Sequence, residues 1–184
     1  GLCWLENDTS AATAEWVKAE NAVTRSYIDK LPMRKAILKR LKETANYEKI
    51  GMPFEQNGKW YVYRNNGLQN QFVLYQMDRP DAPQSEQRVW LDPNTLSTDG
   101  TVAMKGTHFS HGRYMAYVIS RNGSDWEEIY VKDCQTGKVM DDHIVWAKFT
   151  GADWLGDGFY YSAYDAPEKG KETSAKNSVQ KIYY

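Results

Sequence analysis

The chain has 184 residues and carries 23 basic against 24 acidic side chains, a formal net charge of −1. That balance offers no basic surface to a phosphate backbone and argues against nucleic acid as a partner. No apolar run approaches the roughly 18–20 residues of a membrane-spanning helix. Leu, Ile, Val and Phe account for only 33 of the 184 residues, whereas Phe, Trp and Tyr make up 14% of the chain. Few aliphatics together with near-zero net charge and many rings point away from disorder, toward a core of aromatic side chains carried on strands.

Asp8, Thr9 and Ser10 are N-cap candidates, and Trp16, Val23, Tyr27 and Leu31 then recur on one helical face, which predicts a helix near 11–30. Pro32 suits the first turn of a second helix, in which Met33, Ile37, Leu38 and Leu41 form an apolar stripe within a Lys/Arg-rich segment. Residues 1–50 therefore read as a helical segment whose apolar faces need a partner. Residues 51–184 read differently. Their period is two, in short ring-rich or β-branched runs: Trp60–Tyr63, Phe72–Met77, Arg88–Leu91, Tyr114–Ser120, Ile129–Asp133, Val145–Phe149, Phe159–Tyr164 and Ile182–Tyr184. Runs at this spacing, with no helical pattern between them, predict antiparallel strands.

The runs repeat. Phe54, Gly58 and Trp60–Tyr63 match Phe109, Gly112 and Tyr114–Tyr117, and again Trp154, Gly158 and Phe159–Tyr161. Each copy continues to an aliphatic-Tyr pair: Leu74-Tyr75, Ile129-Tyr130 and Ile182-Tyr183. The three glycines lie 54 and 46 residues apart, a spacing that suits four-stranded propeller blades. The third copy lacks the continuation seen in the first two. The expected architecture is mostly β with an α-helical N-terminus: two helices, then two blades and part of a third from an incomplete propeller belonging to a longer protein.

Few residues offer chemistry on their own. The sequence holds no Gly-x-Ser-x-Gly elbow, no His-Glu-x-x-His and no Gly-x-x-x-x-Gly-Lys loop. Gly156-Asp157-Gly158 reads as a turn. Cys3 and Cys134 have no metal-ligand spacing. His108 and His111, which with Asp99 or Asp153 could share a metal, read as loop residues around Phe109, and His143 reads as a solvated loop histidine. The neighbouring acids Glu127-Glu128 and Asp141-Asp142 would point to opposite faces of a strand. The amide-rich stretch Asn65–Gln71 suits positive-φ turns, with glutamine side chains satisfying backbone groups between strands; ligand contact is the alternative.

Asn66-Gly67-Leu68-Gln69-Asn70-Gln71 followed by Val73-Leu74-Tyr75 resembles the first-blade signature of prolyl oligopeptidases. Trp4-Leu5-Glu6, Glu20-Asn21, Asn46-Tyr47, Leu91–Ser97, Asp99–Val102, Phe109-Ser110, Tyr114 with Ala116-Tyr117, and Gly123–Trp126 agree in the same order. The resemblance implies a serine endopeptidase that cuts short peptides after proline and is built from an α/β-hydrolase domain capped by a seven-bladed propeller. It further implies that the N-terminal helices pack on the hydrolase domain, which lies C-terminal to this chain. That domain holds the Ser, Asp and His of the triad, so no residue here is expected to be catalytic, and no cofactor or metal is implied. Two positions match residues that face substrate in this family: Phe149, in Lys148-Phe149, and Asp125, in Gly123–Trp126. The competing readings are an ordinary core ring for Phe149 and a turn-capping role for Asp125. Implied partners are short proline-containing peptides and the hydrolase domain. Two other readings compete with this one: a non-enzymatic propeller that binds protein or peptide, and a sister oligopeptidase that cuts after basic residues.

Overall fold

The computed structural model describes residues 1–184 and divides into two compact units: residues 1–46 with 167–176, and residues 47–166 with 177–184. In the first unit, helix α1 spans Ala11–Ile28 and α2 spans Arg34–Ala45. Ser10 caps α1, its side chain accepting from the Thr13 amide at 3.1 Å. Pro32 lies in the turn before α2, two residues outside the helix. The apolar stripes face outward: Tyr27 is 70% exposed, and Val23, Met33, Ile37, Leu38 and Leu41 are exposed as well.

The second unit is built of antiparallel strands. Its first sheet comprises β1 (Lys49–Ile50), β2 (Phe54–Gln56), β3 (Lys59–Asn65), β4 (Val73–Met77) and β5 (Arg88–Leu91); β3 pairs with both β1 and β2 along one edge. Its second sheet runs β6 (Val102–Phe109), β7 (Tyr114–Arg121), β8 (Glu127–Asp133) and β9 (Val139–Ala147) in sequence order. It continues into β10 (Asp153–Leu155), β11 (Gly158–Ala163) and β12 (Lys181–Tyr183) through one pairing, Ala163 with Ala147. The long strand β6 and the short strands β1, β2 and β10 carry too few rings or residues to stand out in the sequence. Val145–Phe149 is not one strand, because β9 ends at Ala147.

The repeat is visible in space, but its glycine turns are not equivalent. Asn57 and Gly58, with φ of 55° and 73°, form a two-residue left-handed turn between β2 and β3. In the second copy Gly112 is not left-handed. The loop is instead held by Ser110, whose hydroxyl accepts from the amides of Tyr114 at 2.8 Å and Gly112 at 3.3 Å. In the third copy Gly156 takes the left-handed position and Gly158 opens β11.

Alternation along the strands decides how the sheets stack. On β7, Met115, Tyr117 and Ile119 join a cluster with Tyr61, Leu74, Trp90, Leu91 and Val102, which packs the first blade on the second. The intervening Ala116 and Val118 join Ile129, Ala147 and Ala152, with Trp154, Phe159 and Tyr161 packed against them, so the other face receives the third repeat. The first interface is ring-rich, with Tyr61 and Phe109 centroids 4.7 Å apart. Burial pushes the Tyr61 phenol up to about 12, outweighing the hydrogen bond it accepts from Gln76 at 2.7 Å.

Gln71 supplies the polar counterpart. Its carboxamide donates to the Val102 carbonyl at 2.7 Å and accepts from the Met104 amide at 2.7 Å, the two bonds that one residue of a parallel strand would make opposite Ala103. The Asn94 side chain in turn accepts from the Gln71 amide at 2.9 Å and donates to its carbonyl at 3.1 Å. Asn65 closes the stretch, donating to Gln69 and Gln71 carbonyls and accepting from the Gly67 amide. These amides satisfy backbone. Gln71→Leu keeps the bulk but strips both partners from the β6 edge, and is expected to lower stability by about 2 kcal/mol in urea unfolding. An unchanged midpoint would show that the carboxamide is dispensable.

Candidate functional site

The loops that carry the two candidates lie side by side at one end of the second blade: the β7–β8 loop (residues 122–126) holds Asp125 and the β9–β10 loop (residues 148–152) holds Phe149. The local cause is a β-bulge. Ile129 pairs with Ile144 but Glu127 pairs with Ala147, so Val145 and Trp146 together oppose Glu128. Trp146 absorbs the extra residue by taking φ of 60°, unusual for a bulky side chain. The bulge turns Ala147 toward β11, and the Tyr164 amide donates to the Trp146 carbonyl at 3.0 Å.

Beyond the bulge the chain makes a second left-handed step at Phe149, with φ of 51°. The ring is 75% exposed, so Phe149 is not a core residue. Its neighbours are anchored on both sides. The Lys148 ammonium sits 4.6 Å from the Trp126 ring centroid. Thr150 donates its amide to Glu127 Oε2 at 3.3 Å, and its hydroxyl accepts from the Ser162 amide at 3.0 Å. Trp126 is packed edge-on against Trp146 at 5.4 Å and Tyr164 at 6.0 Å. Asp125 is exposed, immediately before Trp126. The capping function in its turn belongs to Ser124, whose hydroxyl accepts from the Trp126 amide at 3.1 Å. Family resemblance proposes Phe149 and Asp125; Glu127, read in sequence only as one of a diverging acid pair, and Trp146 are brought to these loops by the bulge, which leaves no period in the sequence.

His111 lies in the loop between β6 and β7 as expected, but the other two histidines do not lie in loops. His108 lies within β6 and is half-buried against Gly151, where an added Cβ would come within 2.6 Å of the ring. Burial pushes its pKa down, against the pull of Asp153 and Glu127. Its backbone carbonyl accepts from the Trp154 indole at 2.9 Å, tying the second blade to the third repeat. His143 is a strand residue, not a loop one. It stacks on Tyr130 at 4.4 Å and bonds Glu128 Oε2 at 2.9 Å. Glu127 and Glu128 do diverge: Glu127 reaches the Phe149 loop, while Glu128 accepts from Arg121 at 2.6 Å and Tyr130 at 2.7 Å.

Burial alone would raise the Glu128 pKa, but the bonds from Arg121, Tyr130 and His143 outweigh it and hold the carboxyl at about 2, below its ordinary 4.5. A folded pKa below the unfolded one gives stability that is complete above pH 4.5 and is lost as pH falls toward 2. Glu128→Gln is accordingly expected to flatten the fall of Tm across that acid window. An equally steep fall in the variant would show that the carboxylate carries none of it.

Stacked antiparallel blades following two helices define a partial β-propeller with an N-terminal helical segment. Residues 2–184 match the family described as "Prolyl oligopeptidase, N-terminal beta-propeller domain", and the chain belongs to that family. It is 40% identical over 183 residues to the prolyl endopeptidase of Elizabethkingia miricola and 39% identical to that of Elizabethkingia meningoseptica, covering 98% of this chain in both cases. Among solved structures it is similar to a mutant of prolyl oligopeptidase B from Galerina marginata bound to a 35mer hydrolysis and macrocyclization substrate, with a TM-score of 0.80 and 28% identity over 97% of this chain. The chain spans about a quarter of the length of the curated relatives it matches, 25% of each.

Proposed function

We propose that this chain is the helical and first-blade portion of a prolyl oligopeptidase-type serine endopeptidase, which hydrolyses short peptides after proline. In this reading the triad resides in an α/β-hydrolase domain outside the chain. The seven-bladed propeller acts as a size filter, and Phe149 and Asp125 face the substrate. The two helices within residues 1–50 form the segment that packs on the hydrolase domain, and their outward apolar stripes support that role. Family membership over nearly the whole chain supports the peptidase class.

The observation that carries the assignment is the exposed Phe149 ring, held on a left-handed residue beside the loop that presents Asp125. A strained, solvent-facing aromatic contributes little to a core and suits an apolar subsite. Phe149→Ala in the full-length protein is expected to raise KM about tenfold for peptides with an apolar residue two places before the scissile proline, leaving kcat little changed. Glycine at that place should erase the difference. Equal KM values across the series would remove Phe149 from the site. The 184-residue chain by itself is expected to release no chromophore from a proline-linked chromogenic peptide; turnover by a rigorously purified sample would contradict the placement of the triad outside it.

A further inference from the structure

The chain on either side of Phe149 is tied to consecutive residues of one strand start, and that arrangement has consequences for specificity. Lys148 rests on the Trp126 ring at 4.6 Å, and Thr150 donates its amide to Glu127 Oε2 at 3.3 Å. Glu127 is only 7% exposed and lies at the first position of β8, opposite Ala147. The Thr150 hydroxyl is occupied in its turn by the Ser162 amide at 3.0 Å, which fixes the far side of the loop to β11. Phe149 is thus the free apex of a three-residue bridge. Its flanks are clamped by Trp126 and Glu127, and its own ring lies in solvent.

We propose that Glu127, together with Trp126, is a positioning residue that fixes where the Phe149 ring stands and thereby sets how strictly the enzyme selects an apolar residue two places before proline. The inference rests on the reading of Phe149 as a substrate-facing ring. Backbone at φ of 51° costs a phenylalanine free energy that the rest of the loop must supply, and a buried carboxylate accepting the next amide is a means of supplying it. Without that acceptor the Thr150 amide has no carboxylate to hold it, and the left-handed step at Phe149 has one clamp fewer. Phe149 would then sample extended backbone, and its ring would leave the position it holds here. Glu127 touches no substrate in this scheme and acts only through the ring.

The test uses the full-length protein and two variants. Glu127→Leu keeps the buried volume and removes the acceptor, while Glu127→Gln retains an acceptor oxygen. With peptides carrying an apolar residue two places before proline, Glu127→Leu is expected to raise KM three- to tenfold with kcat unchanged, the scale of one lost hydrogen bond. Peptides with glycine there should show no change, and Glu127→Gln should restore most of the loss. Glu127→Leu should also be silent in a Phe149→Ala background, since the ring it positions is gone. The inference is overturned if Glu127→Leu alters all peptides alike, alters none, or keeps its full effect without the Phe149 ring. Should Phe149→Ala alone leave specificity unmoved, the reading of the ring fails first, whatever Glu127 does. Amide exchange at Thr150, faster in the Leu variant and near normal in the Gln variant, reports the clamp independently of turnover.

Discussion

Strand β7 is apolar on both faces, and that constraint organises the second unit. Met115, Tyr117 and Ile119 require cover on one side, Ala116 and Val118 on the other. No single blade can provide both, so the repeats must stack. The two faces differ in side-chain size. Rings and long aliphatics of β7 fill the gap to the first blade, whereas on the other face its small Ala116 and Val118 leave room for the Trp154, Phe159 and Tyr161 rings of the third repeat. Aromatic strands thus take the place of the aliphatic core that the composition withholds.

Stacking of this kind leaves a polar problem at each boundary, and the chain solves it in two ways. Between the first and second blades, a side chain imitates backbone: Gln71 supplies β6 with the donor and acceptor of an absent neighbour, and Asn94 does the same for Gln71. Between the second and third, the backbone itself crosses. Ala147 of β9 pairs with Glu127 of β8 and with Ala163 of β11 at once, and the bulge at Val145-Trp146 directly precedes this shared residue. The left-handed Trp146 and the left-handed Phe149 three residues later belong to the same crossing. The Phe149 ring, proposed above to face the substrate, is therefore exposed by the same crossing that joins two blades.

Much of this was legible in the residues. Alternation marked β3, β4, β7, β8 and β11, and Ser10 with the stripe from Trp16 to Tyr27 marked α1. The amide-rich segment announced backbone satisfaction, although nothing in it named Val102 and Met104 as the partners, since a thirty-residue separation has no local signature. β6 was hidden because Val102–Phe109 mixes Lys105, Gly106 and His108 into a half-exposed strand. Gly112 looked equivalent to Gly58 because spacing alone cannot reveal φ; the second turn is closed by the Ser110 hydroxyl instead. His143 sat among acids in sequence, and only the sheet register brought it onto Tyr130. Phe149 and Asp125 are candidates through family likeness alone, whereas the contact of Glu127 with the Phe149 loop depends on a bulge on the neighbouring strand and has no sequence signature.

The blade crossing is proposed to present Phe149 to a peptide. The most direct measurement is a crystal structure of the full-length protein with a proline-containing peptide trapped in the site. The expected result is the Phe149 ring in van der Waals contact with the residue two places before proline, its φ still left-handed and the Thr150 amide still on Glu127. A peptide bound with that residue against other side chains, and the Phe149 ring turned to solvent, would contradict it.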